Sequence, residues 1–184
     1  MLSPRFSALR TTLAAAVCCA IAIAAHAQNT LNIYTLNQEA MFAQSAFGQR
    51  VRQTIESRSS GIAAENRRIE EELKAEEQAL TEQRPTLDPA EFRQLADAFD
   101  AKVEEIRTTR AKKSADLSAW TDAERTRFFE LAFPVLLDLA KELGASAILD
   151  MRTVIIASDQ IDITATAQKR VDQALGDGAE GSEP

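Results

Sequence analysis

The sequence turns at Pro85-Thr86-Leu87-Asp88-Pro89. Pro85 disfavours the α conformation at the residue before it, so a helix that arrives from the N-terminal side ends there. Asp88 is a typical N-cap and Pro89 suits the first helical position, so a second helix begins in the same stretch. The stretch therefore predicts two helices joined by a tight turn.

Outward from this turn, both flanking segments show the spacing of a coiled coil. On the N-terminal side, apolar residues recur at seven-residue spacing with one four-residue offset: Ile55, Ile62, Ile69, Leu73 and Leu80. On the C-terminal side the apolar positions are Phe92, Leu95, Phe99, Val103, Ile106, Leu117 and Trp120. Most other positions are charged, polar or alanine, so each segment predicts an exposed helix with one narrow apolar seam.

The two seams match when the chain is folded back at the turn. Leu80 with Leu95, Ile69 with Ile106, and Ile55 with Trp120 give the same sum of residue numbers, as facing residues of an antiparallel pair do. We therefore predict a long antiparallel αα-hairpin arm over residues 51–127, with its tip at 85–89. Ile62 would face Lys113, which predicts a loose or flexible point at that level.

Short β-type segments lie on both sides of the arm. Leu31–Leu36 predicts one strand, and Ala147–Met151 and Thr153–Ala157 predict a β-hairpin. Phe128–Leu143 is strongly apolar, which predicts burial. Residues 28–50 and 128–175 should thus form a small β-containing body, giving an α+β, mostly helical fold. The residues expected to build the body and its contacts between subunits are Ile33, Tyr34, Ile148, Leu149, Val154, Ile155 and Ile156.

The N-terminal residues have the pattern of an export signal. Arg5 and Arg10 precede the apolar run Leu13–Ala25. Ala25 and Ala27 form a small-x-small cleavage site, so we expect cleavage between Ala27 and Gln28 and removal of residues 1–27. An uncleaved N-terminal anchor is the alternative. At the other end, residues 176–184 are acidic and contain glycine, which predicts a disordered tail.

Cleavage would remove Cys18, Cys19 and His26, which are all the cysteine and histidine of the chain. Thiol nucleophiles, histidine-based triads and histidine metal sites are then excluded, and no Gly-rich phosphate loop is present. We expect no enzymatic activity, no cofactor and no metal. The net charge would change from −7 to −9 because Arg5 and Arg10 are lost. This charge and export disfavour nucleic-acid binding.

The chain resembles the Skp/OmpH family of periplasmic chaperones. The resemblance lies in Tyr34-Thr35-Leu36-Asn37, in Ile148-Leu149-Asp150, in Val154-Ile155-Ile156-Ala157, and in Asp162-Ile163-Thr164 before the last predicted helix. It implies a jellyfish-shaped homotrimer, with a β body from three subunits and three helical hairpins around a cavity. It also implies that the cavity holds unfolded outer-membrane β-barrel proteins in the periplasm without ATP.

The resemblance leads to the hypothesis of a periplasmic holdase, with Phe92, Leu95 and Phe99 near the arm tip as candidate client contacts. The same three residues have an alternative role within the seam of the hairpin. The well-known family members are basic whereas this chain is acidic, so we expect no strong binding to anionic lipid. A structural coiled-coil scaffold of the cell envelope is the alternative function.

Overall fold

The computed structural model describes residues 31–179. Its elements are β1 (Ile33–Leu36), α1 (Gln38–Gln44), α2 (Ala46–Gln83), α3 (Pro89–Glu142), β2 (Ala147–Asp150) and α4 (Thr164–Leu175). Two 3-10 turns, Met151–Thr153 and Asp159–Ile161, lie between β2 and α4. The chain is mostly helical with a small strand body, as predicted. The predicted signal peptide, its predicted cleavage site at Ala25, Ala27 and Gln28, and residues 180–184 of the tail lie outside the described residues.

The two long helices end and begin where the turn residues place them. α2 ends at Gln83 and α3 begins at Pro89. The Asp88 side chain accepts a hydrogen bond from the Ala90 N–H at 2.8 Å, which satisfies one free donor at the helix start. α2 has 38 residues and α3 has 54. At about 1.5 Å per residue they are roughly 57 and 81 Å long.

Ion pairs join α2 and α3 along the arm. Glu76 pairs with Lys102, Glu70 pairs with Arg110 at 3.1 Å, and Glu65 pairs with Lys113 at 2.5 Å. As the residue number rises along α2, the number of its partner on α3 falls. Half-buried apolar side chains accompany these pairs: Ile55, Ile62, Ile69, Leu73 and Leu80 on α2, and Phe92, Phe99, Val103, Ile106, Leu117 and Trp120 on α3.

The sheet differs from the predicted hairpin. β1 and β2 pair in parallel, with Ile33 opposite Ala147 and Leu36 opposite Asp150. On the other side of β1, Thr35 forms a parallel bridge with Asp162, and the Ile163 N–H donates to the Thr35 carbonyl at 3.0 Å. The segments at both ends of the chain therefore meet in one small sheet, as expected.

The prediction of a second strand over Thr153–Ala157 was wrong. Asp150 ends β2 because its carboxylate accepts from the Arg152 N–H at 2.9 Å and also binds the Arg152 guanidinium. The chain then enters the 3-10 turn Met151–Thr153 instead of turning back. A two-residue hairpin turn favours glycine or asparagine, and this stretch has neither.

The core lies at the base of the arm, where α1, the start of α2, the end of α3 and α4 pack together. Phe47 and Phe128 are fully buried, with ring centroids 5.4 Å apart in an edge-to-face arrangement. The other buried apolar residues are Leu36, Met41, Val51, Ala132, Leu139, Ile163, Ala167 and Val171. α4 thereby fixes the origin of both arm helices.

A break at Ser45 separates α1 from α2. The Ser45 hydroxyl donates to the Phe42 carbonyl at 2.8 Å and accepts from the Gly48 N–H at 3.0 Å. Asp172 of α4 accepts from the Ala46 N–H at 2.8 Å, so the first turn of α2 is capped from another helix. These bonds set the angle at which the arm leaves the body.

The beginning of the predicted disordered tail contacts the root of the arm. Arg50 Nε donates to the Asp177 carbonyl at 2.7 Å. Gly178 has φ +67, and a Cβ there would come within 2.2 Å of the Phe47 ring. The backbone at Gly178 therefore packs directly on Phe47, which a residue with a side chain would prevent.

Candidate functional site

Large apolar side chains remain exposed on the body of the chain. The sheet contributes Ile33 and Leu149, which point to the same side because Ile33 is opposite Ala147 and Leu149 lies two residues further along β2. The opposite side carries Tyr34 and Ile148, which are partly buried against the core. One side of the sheet thus packs on the core, while on the other side Ile33 and Leu149 stay partly exposed and Thr35 is buried.

The loop after β2 exposes its apolar residues most strongly. Ile155 is 98% exposed and Ile156 is 88% exposed, while Val154 is half-buried. Two adjacent isoleucines in water forgo roughly 1.5–3 kcal/mol each relative to full burial. Adjacent exposed isoleucines make this loop a candidate site of interaction with another molecule.

The sequence did not reveal a further exposed group on α3. Phe128, Ala132 and Leu139 are buried as predicted, but Phe133 is 65% exposed and Leu137 is also exposed. Phe133 and Leu137 are four residues apart, so they share one side of the helix. The segment is apolar all round, which predicts burial on every side, but the described chain covers only part of it. Leu31 and Leu131 complete the exposed apolar residues of the body.

The three candidate client contacts near the tip differ from one another. Phe92 and Phe99 are half-buried in the seam, and the Arg84 guanidinium lies 5.5 Å from the Phe92 ring centroid. Leu95 is 42% exposed, and the neighbouring Ala96 occupies the half-buried position. Leu95 is therefore the candidate whose side chain is available to a client without opening the seam.

Two clefts lie along the seam in the middle of the arm. A cleft of about 240 Å³ is lined by Ile69 and Ile106, and a second of about 340 Å³ by Ile62, Lys113 and Leu117. Lys113 turns to Glu65 of α2, and their hydrogen bond lowers the pKa of the Glu65 carboxyl. At the level where the sequence predicted an imperfect pairing of Ile62 with Lys113, an ion pair thus joins the two helices.

Charged groups also tie the body to the root of the arm. The Glu124 side chain is only 9% exposed and pairs with Arg50, while Arg127 lies 3.7 Å away. The guanidinium of Arg50 also lies 4.7 Å from the Phe47 ring centroid. A nearly buried carboxylate held by cations from α2 and α3 fixes the distance between the helices at their base.

A second pair links α1 to α3. Arg125 donates to Glu39, and this hydrogen bond is the main cause of the lowered pKa of the Glu39 carboxyl. In the loop region, the hydrogen bond from Arg152 lowers the pKa of Asp150 in the same way. Both carboxylates are consequently occupied by structural partners.

Neither a metal centre nor a membrane-spanning helix is found within residues 31–179. No group of three or more Asp, Glu, His or Cys side chains in that range is placed to hold a metal ion. The carboxylate of Asp162, which follows the second 3-10 turn, accepts from the Thr164 N–H at 2.8 Å at the start of α4. No helix among the described residues combines the length and apolar character needed to cross a membrane.

A protein-family model described as outer membrane protein (OmpH-like) matches residues 32–171. The chain belongs to the OmpH-like family. The matched range begins just before β1 and ends within α4, so it spans the body and both helices of the arm. No protein among those with curated functions matches the sequence at a significant level.

This OmpH-like chain is also similar in structure to a solved protein. That protein is a candidate outer membrane chaperone (OmpH-like) from Caulobacter crescentus, with a crystal structure at 2.83 Å resolution. The TM-score is 0.74 at 18% sequence identity, and the match covers 80% of this chain and 88% of the other. At this identity the comparison shows a shared fold.

Proposed function

We propose that this OmpH-like protein is an ATP-independent periplasmic holdase chaperone that binds unfolded outer-membrane proteins between helical arms and prevents their aggregation. The observation that carries the proposal is the combination of exposed apolar residues on the body with two very long helices that extend from it. Such helices have only a narrow seam of their own, and Leu95 remains exposed along them. Family membership supports a chaperone role.

The proposal includes a homotrimer in which three antiparallel hairpins enclose a cavity. Within the described residues, β2 pairs only with β1, so its second edge is available to a strand from another subunit. Ile155 and Ile156 follow β2 by only a few residues in the sequence, and both are exposed. A two-stranded sheet is weak in isolation, and association of subunits would both extend it and cover the isoleucines.

A holdase acts by binding the unfolded state rather than the native state. Several arms around one cavity would offer many weak contacts, whose combined strength exceeds that of any one contact. The export signal predicted for residues 1–27 would place the protein in the periplasm, where unfolded outer-membrane proteins pass. No nucleotide is required for this mechanism.

Light scattering of an unfolded porin, diluted from denaturant, tests the proposal. A several-fold molar excess of the protein should suppress the rise in scattering. Unchanged aggregation at that excess would reject the holdase function. Affinity capture from envelope extract adds a second readout: a varied set of β-barrel precursors is expected, whereas one stoichiometric partner would favour the scaffold function.

A further inference from the structure

Charge is divided unevenly along the arm. Ile69 of α2 and Ile106 of α3 line the same cleft and so mark one level of the arm. Beyond that level, residues 69–105 form the distal zone, with twelve Asp or Glu against four Lys or Arg. On the body side, residues 50–68 and 106–127 form the proximal zone, with eleven Lys or Arg against five Asp or Glu. The arm of an acidic protein therefore has a basic root.

Ion pairs take up part of this charge, more in the proximal zone than in the distal zone. In the distal zone, ion pairs use four of the twelve acids: Glu70, Glu72, Glu76 and Glu104. In the proximal zone, eight of the eleven cations form ion pairs. The other three, Arg52, Arg58 and Arg67, are exposed and make no ion pair among the described residues. The distal zone thus keeps eight unpaired acids, whereas the proximal zone keeps three unpaired cations beside exposed Glu56 and Asp122, together with a net positive charge over its whole length.

The two zones are far enough apart to act separately. Their centres on α2 lie near residues 59 and 76, which corresponds to roughly 25 Å along the helix. Exposed charges interact over only about 8 Å at physiological ionic strength. A chain bound along the arm would therefore meet a zone of net positive charge near the body and a zone of net negative charge near the tip, and the net charge of the protein describes neither.

We infer that the arm sorts an unfolded client by charge, with acidic segments of the client binding the proximal zone and basic segments binding the distal zone. The inference rests on the proposed holdase function and adds the class of segment that each part of the arm accepts. Apolar contacts would hold a client in either orientation, whereas the two zones favour one. The client would then be aligned along the arm as well as bound.

Two unstructured peptides of equal length and equal apolar content test the inference, one rich in Glu and the other rich in Lys. Their dissociation constants are measured by fluorescence anisotropy on the full chain. The proximal variant is Arg67→Gln with Lys112→Gln, which removes one exposed unpaired cation and one cation paired with Asp116. The matched body variant is Lys169→Gln with Lys141→Gln, where Lys141 is paired with Asp138.

The proximal variant should weaken binding of the Glu-rich peptide about fivefold, since it removes two cations and exposed charge pairs each contribute modestly to affinity. The body variant changes net charge equally and should alter that binding by less than about twofold. The distal variant Glu71→Gln with Glu77→Gln should weaken binding of the Lys-rich peptide instead. Each effect should shrink as salt is added.

Equal weakening by the proximal and body variants would overturn the inference, because net charge would then explain both. Failure of the Glu-rich peptide to bind the unmodified chain would overturn it as well. The porin scattering assay on the same proteins separates the two proposals. Suppressed aggregation without any zone effect rejects the sorting of clients and leaves the holdase standing, whereas unsuppressed aggregation by the unmodified protein rejects the holdase.

Discussion

Gly48 lies directly against the backbone of Phe42, so that a Cβ at Gly48 would come 1.9 Å from the Phe42 carbonyl oxygen. This contact occurs at the break between α1 and α2, where Ser45 bonds to both residues. The close approach allows α2 to leave the body at its observed angle. A methyl group at Gly48 would force the two helices apart.

Gly48→Ala should therefore destabilise the protein by about 2–3 kcal/mol, because backbone cannot yield as a flexible side chain does. Urea unfolding followed by circular dichroism measures the change. Gly61→Ala is the matched control, since nothing lies within 4 Å of a Cβ there. It should stabilise α2 by about 0.5–1 kcal/mol. Equal effects of the two substitutions would show that only helix propensity matters at Gly48.

The carboxylate of Glu124 should contribute more to the free energy of unfolding than exposed carboxylates of the arm do. Glu124→Gln leaves Arg50 and Arg127 facing each other at the root of the arm, and we expect a loss of about 2 kcal/mol. Glu72→Gln removes an ion pair with Arg68 whose side chains are both more than half exposed. That control should cost less than about 0.5 kcal/mol. Chemical denaturation of both variants at neutral pH and one salt concentration makes the comparison.

The pair between Glu39 and Arg125 should make a contribution that depends on pH. The pKa of Glu39 is lower in the folded chain than its ordinary value of 4.5. The stabilisation is therefore complete above that value and is lost as pH falls through the lower folded pKa. Because the Glu39 side chain is about half exposed, we expect at most about 1 kcal/mol at pH 7.

Glu39→Gln should consequently be less stable than the unmodified protein near neutral pH, and the two should converge once the carboxyl is protonated in both states. Urea midpoints measured from neutral to strongly acidic pH follow the difference. A gap that persists undiminished in acid would assign the effect to packing around Phe42 and Phe129, over which Arg125 lies.

The exposed isoleucines should act between subunits rather than within one. Ile155→Asp with Ile156→Asp should lower the native mass of the assembly, because both side chains are almost fully exposed in the single chain. Helix content by circular dichroism should stay unchanged. Analytical ultracentrifugation of the variant gives the mass, and an unaltered oligomer would exclude this loop from the subunit interface.

Substitution of Leu95 should impair holdase activity without affecting subunit assembly, the opposite of the effect expected for the isoleucines. Leu95→Asp removes an exposed apolar side chain from the arm and should raise the aggregation of diluted porin at a given chaperone concentration. The native mass should not change, because Leu95 belongs to the arm. Phe99→Asp is an informative companion, since Phe99 is half-buried in the seam and its substitution should also lower the unfolding midpoint. A Leu95 variant with normal holdase activity would remove this residue from the client surface.

The features that were predictable from sequence are those governed by neighbours in the chain. Asp88 and Pro89 start α3 through local capping, and Asn37 caps α1 by accepting from the Ala40 N–H at 2.9 Å. Seven-residue spacing identified the arm helices for the same reason. The same reasoning failed for Leu95, which was predicted to face Leu80 in the seam. A seam position can shift by one residue without breaking the seven-residue pattern, and Ala96 occupies the position here.

The features that were missed depend on distant partners. The parallel pairing of Ile33 with Ala147 cannot be deduced from either strand, because each has the composition of many possible pairings. Gly48 resembles an ordinary flaw in a helix until its contact with Phe42 is known. The exposed isoleucines have the composition of a strand, but the 3-10 turn Met151–Thr153 keeps the chain from turning back onto the edge of β2 that is unpaired in the described chain.

The position of β1 has a consequence for the order of folding. β1 starts at Ile33, yet its partners on the two sides are β2, which starts at Ala147, and Asp162. During synthesis the arm helices can form from local contacts. The backbone of β1 cannot pair until β2 and Asp162, near the other end of the chain, have been made. Nucleation of the body is therefore a late, non-local step, and truncation anywhere before Asp162 would leave an open strand edge that is prone to aggregate.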